Sequence, residues 1–156
     1  MSKIRTKRIL LTLLMVASLA GGAVAYYLFN MPKVDVKASK ADYILPASSL
    51  VNEYLNDASA ADEKYLSEEG NSKIITIKGS VLVIEQDFND QVVVKIQSPG
   101  DKAAVSCTLL PEYLLKNLTV TVGQVVTLKG VIRSGARYDT DMGMYEDVVL
   151  EKCSIV

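Results

Sequence analysis

The sequence predicts a mainly β fold: a small five-stranded barrel, preceded by a helical segment and by an N-terminal transmembrane helix. Three observations predict it. An uncharged run from Ile9 to Phe29 follows Lys3, Arg5, Lys7 and Arg8. Residues 46–68 place apolar side chains at helical spacing. Residues 73–156 break into five short segments rich in Ile and Val, separated by turn-forming residues.

The N-terminal run is long enough to span a bilayer core, since about 20 apolar residues at roughly 1.5 Å each reach about 30 Å. Its cationic start predicts a cytoplasmic segment at 1–8, a signal anchor at 9–29, and the rest of the chain outside. The expectation is a single-pass protein of the inner (cytoplasmic) membrane with a periplasmic or other extracytoplasmic C-terminal domain. A rival reading is a signal peptide cleaved after Ala25, at Ala23-Val24-Ala25. The run continues through Tyr26, Tyr27, Leu28 and Phe29, and such an aromatic cluster suits the membrane–water interface of an uncleaved anchor. The first cysteine is Cys107, which excludes an acylated N-terminal cysteine.

Residues 30–45 contain Pro32, alternating charge and little apolar periodicity, and are expected to be a tether. Pro46 opens the helical segment. Leu50, Val51, Tyr54 and Leu55 share one face, and Ala60, Ala61, Tyr65 and Leu66 continue it after a break at Asn56-Asp57. Ser59-x-x-Asp62 has the form of a capping box for the second piece.

The first strand is expected within Lys73–Gln86, with Gly79 as a bend point. Gln91–Gln97 and Ala103–Leu109 follow, joined by turns at Asn89-Asp90 and Ser98-Pro99-Gly100-Asp101. Pro111–Leu118 is expected to be a short helix with Leu114, Leu115 and Leu118 on one side. The last two strands are expected at Gln124–Arg133 and Tyr145–Ile155, around a polar loop at Ser134–Gly143. Three strands, a short helix and two strands are the elements of an OB-fold, a five-stranded Greek-key barrel. The predicted OB-fold domain is thus 46–156, with helices at 46–68 and the barrel at 73–156.

Composition narrows the partners. All four charges in residues 1–29 are basic, so the remainder holds 13 basic against 18 acidic residues, a net charge of −5. Such a domain has no global attraction for phosphate backbones. Histidine and tryptophan are absent, which removes the commonest general base at neutral pH and the commonest transition-metal ligand. No nucleophile elbow, Ser-x-x-Lys or phosphate-cradling glycine loop occurs either. The chain is expected not to be an enzyme and to need no cofactor.

OB-folds commonly bind ligands on the face of their second and third strands and with the loops joining strands one to two and four to five. Here that face offers Lys95 and no aromatic residue, while Phe88 and Tyr138 lie in the two loops. With Arg133 and Arg137, these five are the candidate ligand-binding residues. The loop's Asp139, Asp141 and Asp147 form a weak calcium candidate, because hard cations need several oxygens converging from a tight turn. Its fifth position is Gly143 and its twelfth is Leu150 rather than a bidentate Glu. Cys107 and Cys153 fall on strands that neighbour each other in an OB barrel, so they are either a disulfide or two buried thiols. Strand parity turns Cys153 outward unless a bulge near Glu151-Lys152 resets the alternation.

Several short motifs carry a resemblance. They are Ala61 with Lys64-Tyr65, Ile77-Lys78-Gly79-Ser80-Val81, Val105-Ser106-Cys107, Gly123 through Leu128-Lys129-Gly130, and Asp147 through Cys153. With the Tyr26-Tyr27-Leu28-Phe29-Asn30 segment after the anchor, the chain resembles the tRNA_anti-like family, small bacterial envelope proteins named for anticodon-binding OB domains. The resemblance implies a membrane-tethered OB domain and leaves its role open, because fold does not fix function. The expected function is a tethered, non-catalytic binding module whose ligand is an envelope protein or glycan. The alternatives are a single-stranded nucleic-acid binder, which the charge and the missing platform disfavour, and a structural subunit of a membrane assembly.

Overall fold

The computed structural model describes Met15, Gly21, Gly22, Val24, Tyr26, residues 35–66 and residues 72–156. The chain divides into two units, Met1–Val34 and Asp35–Val156. In the first, the five described residues have helical backbone, and most of the predicted anchor at 9–29 lies outside the described residues. Among the described residues no helix is long and apolar enough to cross a membrane. The single-pass inner-membrane placement, and with it the membrane as a partner, is corrected accordingly. The apolar run from Ile9 to Phe29 is a statement of composition, and spanning length in the sequence is by itself no span.

The second unit is mainly β with two helices: β1 (Tyr43–Pro46), α1 (Ala47–Asn56), α2 (Ala58–Tyr65), β2 (Ile74–Gln86), β3 (Val92–Ile96), β4 (Val105–Leu109), β5 (Val125–Ser134), β6 (Arg137–Asp139), β7 (Met144–Glu146) and β8 (Val148–Ile155). Strands β2, β3, β4, β8 and β5 follow one another, and β5 pairs back onto β2, closing a five-stranded barrel. All its ladders are antiparallel except β4–β8. This is OB topology, as the order of elements predicted.

Closure depends on β2 serving two neighbours. Its first half, Ile74–Ser80, pairs with β5, and its second half, from Val81, pairs with β3 across a bulge between Val81 and Val83. Gly79 sits at the handover. A Cβ there would overlap Ile96 Cγ2 and lie 3.3 Å from Ala47 Cβ, so glycine lets β2 pass close to β3 and to the start of α1.

The interior is aliphatic. Ile75, Ile77, Ile96, Val105, Leu109, Leu128, Ile132 and Leu150 are fully buried, and Leu50, Val51, Tyr54, Ala61 and Tyr65 of the two helices join the same cluster. Burying each of the larger side chains contributes about 1.5–3 kcal/mol. Asp57 caps α2 by accepting from Ala60 N, so the cap lies two residues before the predicted Ser59 box.

Two segments differ from expectation. Residues 35–46 do not form a free tether. Val36 is buried against Ile74 and Val131, the Asp42 carboxylate accepts from Ile74 N, and β1 pairs in parallel with β2. The helix expected over Pro111–Leu118 is only a 3₁₀ turn at Leu115–Asn117. Leu114 and Leu115 are 43% and 44% exposed, and of the three leucines only Leu118 packs against the core, too little burial to stabilise a longer helix.

Cys153 is buried, not outward. Lys152 adopts φ +53° and the β4–β8 register shifts beside it, so that Leu109 faces Cys153 while Cys107 faces Leu150. The extra residue resets the alternation as a bulge does. Cys107 and Cys153 are free thiols within the barrel.

Candidate functional site

The strand register assembles an outward row across the barrel wall. Val83 faces Lys95, Lys95 faces Ser106, Ser106 faces Val149, and Val149 faces Ser134. Below it, Glu85 faces Val93 and Val93 faces Thr108. These rows are the face that OB-folds use, and they carry no aromatic side chain. Lys95, their one cation, lies 3.3 Å from Glu85 and 3.9 Å from Asp147.

The loop expected between the last two strands contains a hairpin. β6 and β7 pair in antiparallel register, Arg137 with Glu146, Tyr138 with Tyr145 and Asp139 with Met144. Gly143 takes φ +67° in the turn, a conformation that glycine adopts without steric cost. Asp139 holds the turn from within, accepting from Asp141 N and Met142 N. The Tyr138 and Tyr145 rings lie 4.9 Å apart at 60°, within the range of a favourable aromatic pair. Tyr138 is 51% exposed. Arg137 donates to the Glu146 carboxylate, which holds the guanidinium further above its ordinary pKa.

Between this hairpin and the end of the row lies an open cleft of about 570 Å³. Ser106, Ser134 and Val149 of the row form one wall; Arg137, Tyr145 and Asp147 stand on the other. Asp147 is fixed by accepting from Ala104 N. Arg133, at the foot of the hairpin, donates to Glu151 at 2.8 Å.

Of the sequence-predicted ligand residues, the structure brings Arg137 and Tyr138 onto one hairpin, with Arg133 at its base and Lys95 on the adjoining row. Phe88 stands apart, fully exposed in the β2–β3 turn. Two of the three calcium candidates are engaged elsewhere. Asp139 caps the turn and Asp147 anchors Ala104 N, and among the described residues no group of three or more His, Cys, Asp or Glu is placed to hold a metal ion. Tyr145, Ser106, Ser134 and Val149 were not anticipated. A signal for Tyr145 existed in two tyrosines flanking an Asp- and Gly-containing turn, which is a hairpin pattern.

The model of the tRNA_anti-like family matches residues 1–155 of the chain. No curated protein matches it. Among solved structures, one described as an aspartyl-tRNA synthetase from Leishmania major Friedlin is similar at 11% identity and a TM-score of 0.40. That likeness covers 86% of this chain and 25% of the other.

Proposed function

The chain belongs to the tRNA_anti-like family, and from that premise we propose that its barrel is a non-catalytic binding module whose ligand, a neutral glycan, lies in the cleft between the β6–β7 hairpin and the outward row. The observation that supports this reading is the pairing of charges around the cleft. Lys95 is answered by Glu85 and Asp147, Arg137 by Glu146, and Arg133 by Glu151. A phosphodiester chain gains from unopposed cations that release counterions. Sugar hydroxyls both donate and accept, so alternating carboxylates and guanidinium groups suit them, and Tyr145 supplies an apolar ring face. No residue is assigned a catalytic role.

One observation favours a second reading, a single-stranded nucleic acid. The Tyr138–Tyr145 pair sits on the loop between the fourth and fifth barrel strands, and Lys102 lies 5.6 Å from the Tyr145 ring centre. Stacking of a base on such a ring contributes about 1–3 kcal/mol.

Titration of the full chain with neutral oligosaccharides and with an oligothymidylate, each at low and at moderate salt, separates the two. The glycan reading expects saturable saccharide binding that Tyr145→Ala weakens and that salt leaves unchanged. Binding confined to the oligonucleotide and lost as salt rises would replace it with the second reading.

A further inference from the structure

A second cavity, of about 320 Å³, opens where α1 and the start of α2 meet the base of the hairpin. It shares Arg137 and Tyr145 with the cleft described above, whereas Tyr54 lines only the second, so a test at Tyr54 fails or succeeds separately from the glycan reading. Its volume lies at the lower end of the range for small-molecule sites, roughly 300–1,000 Å³.

Its lining combines two kinds of group. Leu55, Ala58, Ala136 and the two hairpin tyrosines provide apolar and aromatic surface, while Lys102 and Arg137 provide positive charge, and no acidic residue lines it. The remaining lining residue is Tyr54. That side chain is 2% exposed, and its hydroxyl, which stands near the Asp62 carboxylate, makes no hydrogen bond of normal geometry among the described residues. A buried hydroxyl left without a well-formed hydrogen bond is costly, so its persistence calls for a reason. The ring is held in place by Gly135, where any Cβ would collide with it. Burial, and then the nearby Asp62, push the hydroxyl's pKa upward, so it remains a donor across the physiological range. The outer wall is Arg137, whose side chain is 73% exposed and paired with Glu146.

We infer that this cavity binds a small carboxylate with an apolar or aromatic body, its head held by Lys102, Arg137 and the Tyr54 hydroxyl, its body against Leu55 and the hairpin tyrosines. Part of the Arg137 fork is already engaged by Glu146, and the remaining donors match one negative charge better than a phosphate dianion. Asp62 lines an adjoining chamber of about 160 Å³ together with Tyr54. Its charge repels the carboxylate from that side and directs the head toward Lys102.

The test is an NMR titration of the full chain with phenylacetate and 3-phenylpropionate, and with the two corresponding amides, following the Ala58, Lys102 and Ala136 backbone resonances. The carboxylates are expected to move these three, and the amides to need about tenfold higher concentration. Tyr54→Phe keeps the ring against Gly135 and removes only the hydroxyl. It is expected to preserve the spectrum elsewhere and to weaken carboxylate binding about fivefold. Carboxylates that leave these resonances unmoved, amides that bind equally well, or a Tyr54→Phe chain with unchanged affinity would each overturn the assignment.

Discussion

Gly135 lies flat against the ring of Tyr54: a Cβ at Gly135 would stand 2.6 Å from Tyr54 Cζ and closer still to Cε1 and Cδ1. This contact joins the helical segment to the base of the binding hairpin, because Tyr54 belongs to α1 and Gly135 is the second residue before β6. Neither backbone nor a buried ring can yield cheaply. Gly135→Ala is therefore expected to destabilise the domain by about 1–3 kcal/mol through overpacking and to displace the Tyr138 and Tyr145 resonances. Urea denaturation together with the NMR spectrum checks this; a midpoint unchanged from the parent would mean that α1 and the hairpin are not coupled through this contact.

The two cysteines give a prediction in the alkaline range. Burial, and then interaction with Cys107, push the Cys153 thiol well above its ordinary pKa. A raised folded-state pKa means that stability is fully present below the unfolded thiol value of about 8.5. As pH climbs past that value the unfolded chain ionises first, and stability declines until the folded pKa is reached. Stability measured from pH 7 to 10 should fall, and Cys153→Ala should flatten that fall. In the folded protein both thiols are buried, so they should resist alkylation at pH 8 and become reactive once unfolding exposes them. Rapid labelling under native conditions would contradict the buried assignment.

The barrel was legible because its strands are rich in Ile and Val, with alternate burial clear in β4, and its turns carry Gly, Pro, Asn and Asp. Even the bulge at Glu151-Lys152 was readable as a condition, since an inward Cys153 demanded it. The β6–β7 hairpin was not. Only Asp147 separates β7 from β8, so alternation from Tyr145 to Ile155 reads as one strand, and the redirection comes from a tertiary bond between Asp147 and Ala104 N. Docking of Val36 onto Ile74 and Val131 was equally invisible, because a lone apolar residue in a polar segment has no periodicity. In the candidate site, Arg137 and Tyr138 were found from residue type. Tyr54 read as an ordinary apolar-face residue, and only the structure reveals its buried hydroxyl without a well-formed hydrogen bond.

Acid should expose a small contribution from the helical segment. The Glu53 carboxylate accepts from Lys64 Nζ at 2.7 Å and from Tyr65 Oη at 2.8 Å. The bond from Lys64, opposed by partial burial and aided by Tyr65, holds the Glu53 pKa below its ordinary value. A lowered carboxylate pKa contributes stability that is present above the unfolded value of about 4.3 and is lost as pH falls through the folded pKa. The paired side chains are 39% and 40% exposed, so solvent screening limits the effect. Lys64→Met is expected to cost less than about 1 kcal/mol at pH 7 and almost nothing at pH 2.5. Thermal denaturation at the two pH values checks the difference, and an equal cost at both would assign the loss to packing on Tyr43 and Tyr65 instead.

Lys152 occupies the left-handed region at φ +53° in the bulge that turns Cys153 inward. For a residue with a Cβ this conformation costs about 1–2 kcal/mol. Glycine removes that cost but loses about 0.5–1 kcal/mol to the greater freedom of its unfolded state. Lys152→Gly is therefore expected to stabilise the domain by about 0.5–1 kcal/mol, whereas Lys152→Val, with a branched Cβ, should destabilise it. Asp90 has φ +59° in the β2–β3 turn, but Asp tolerates this region through local hydrogen bonding, so Asp90→Gly should gain less than Lys152→Gly. Urea midpoints of the three variants rank them directly. If Lys152→Gly proved destabilising, the positive φ would not be a strain that the bulge imposes, and the reset of strand parity that buries Cys153 would need another cause.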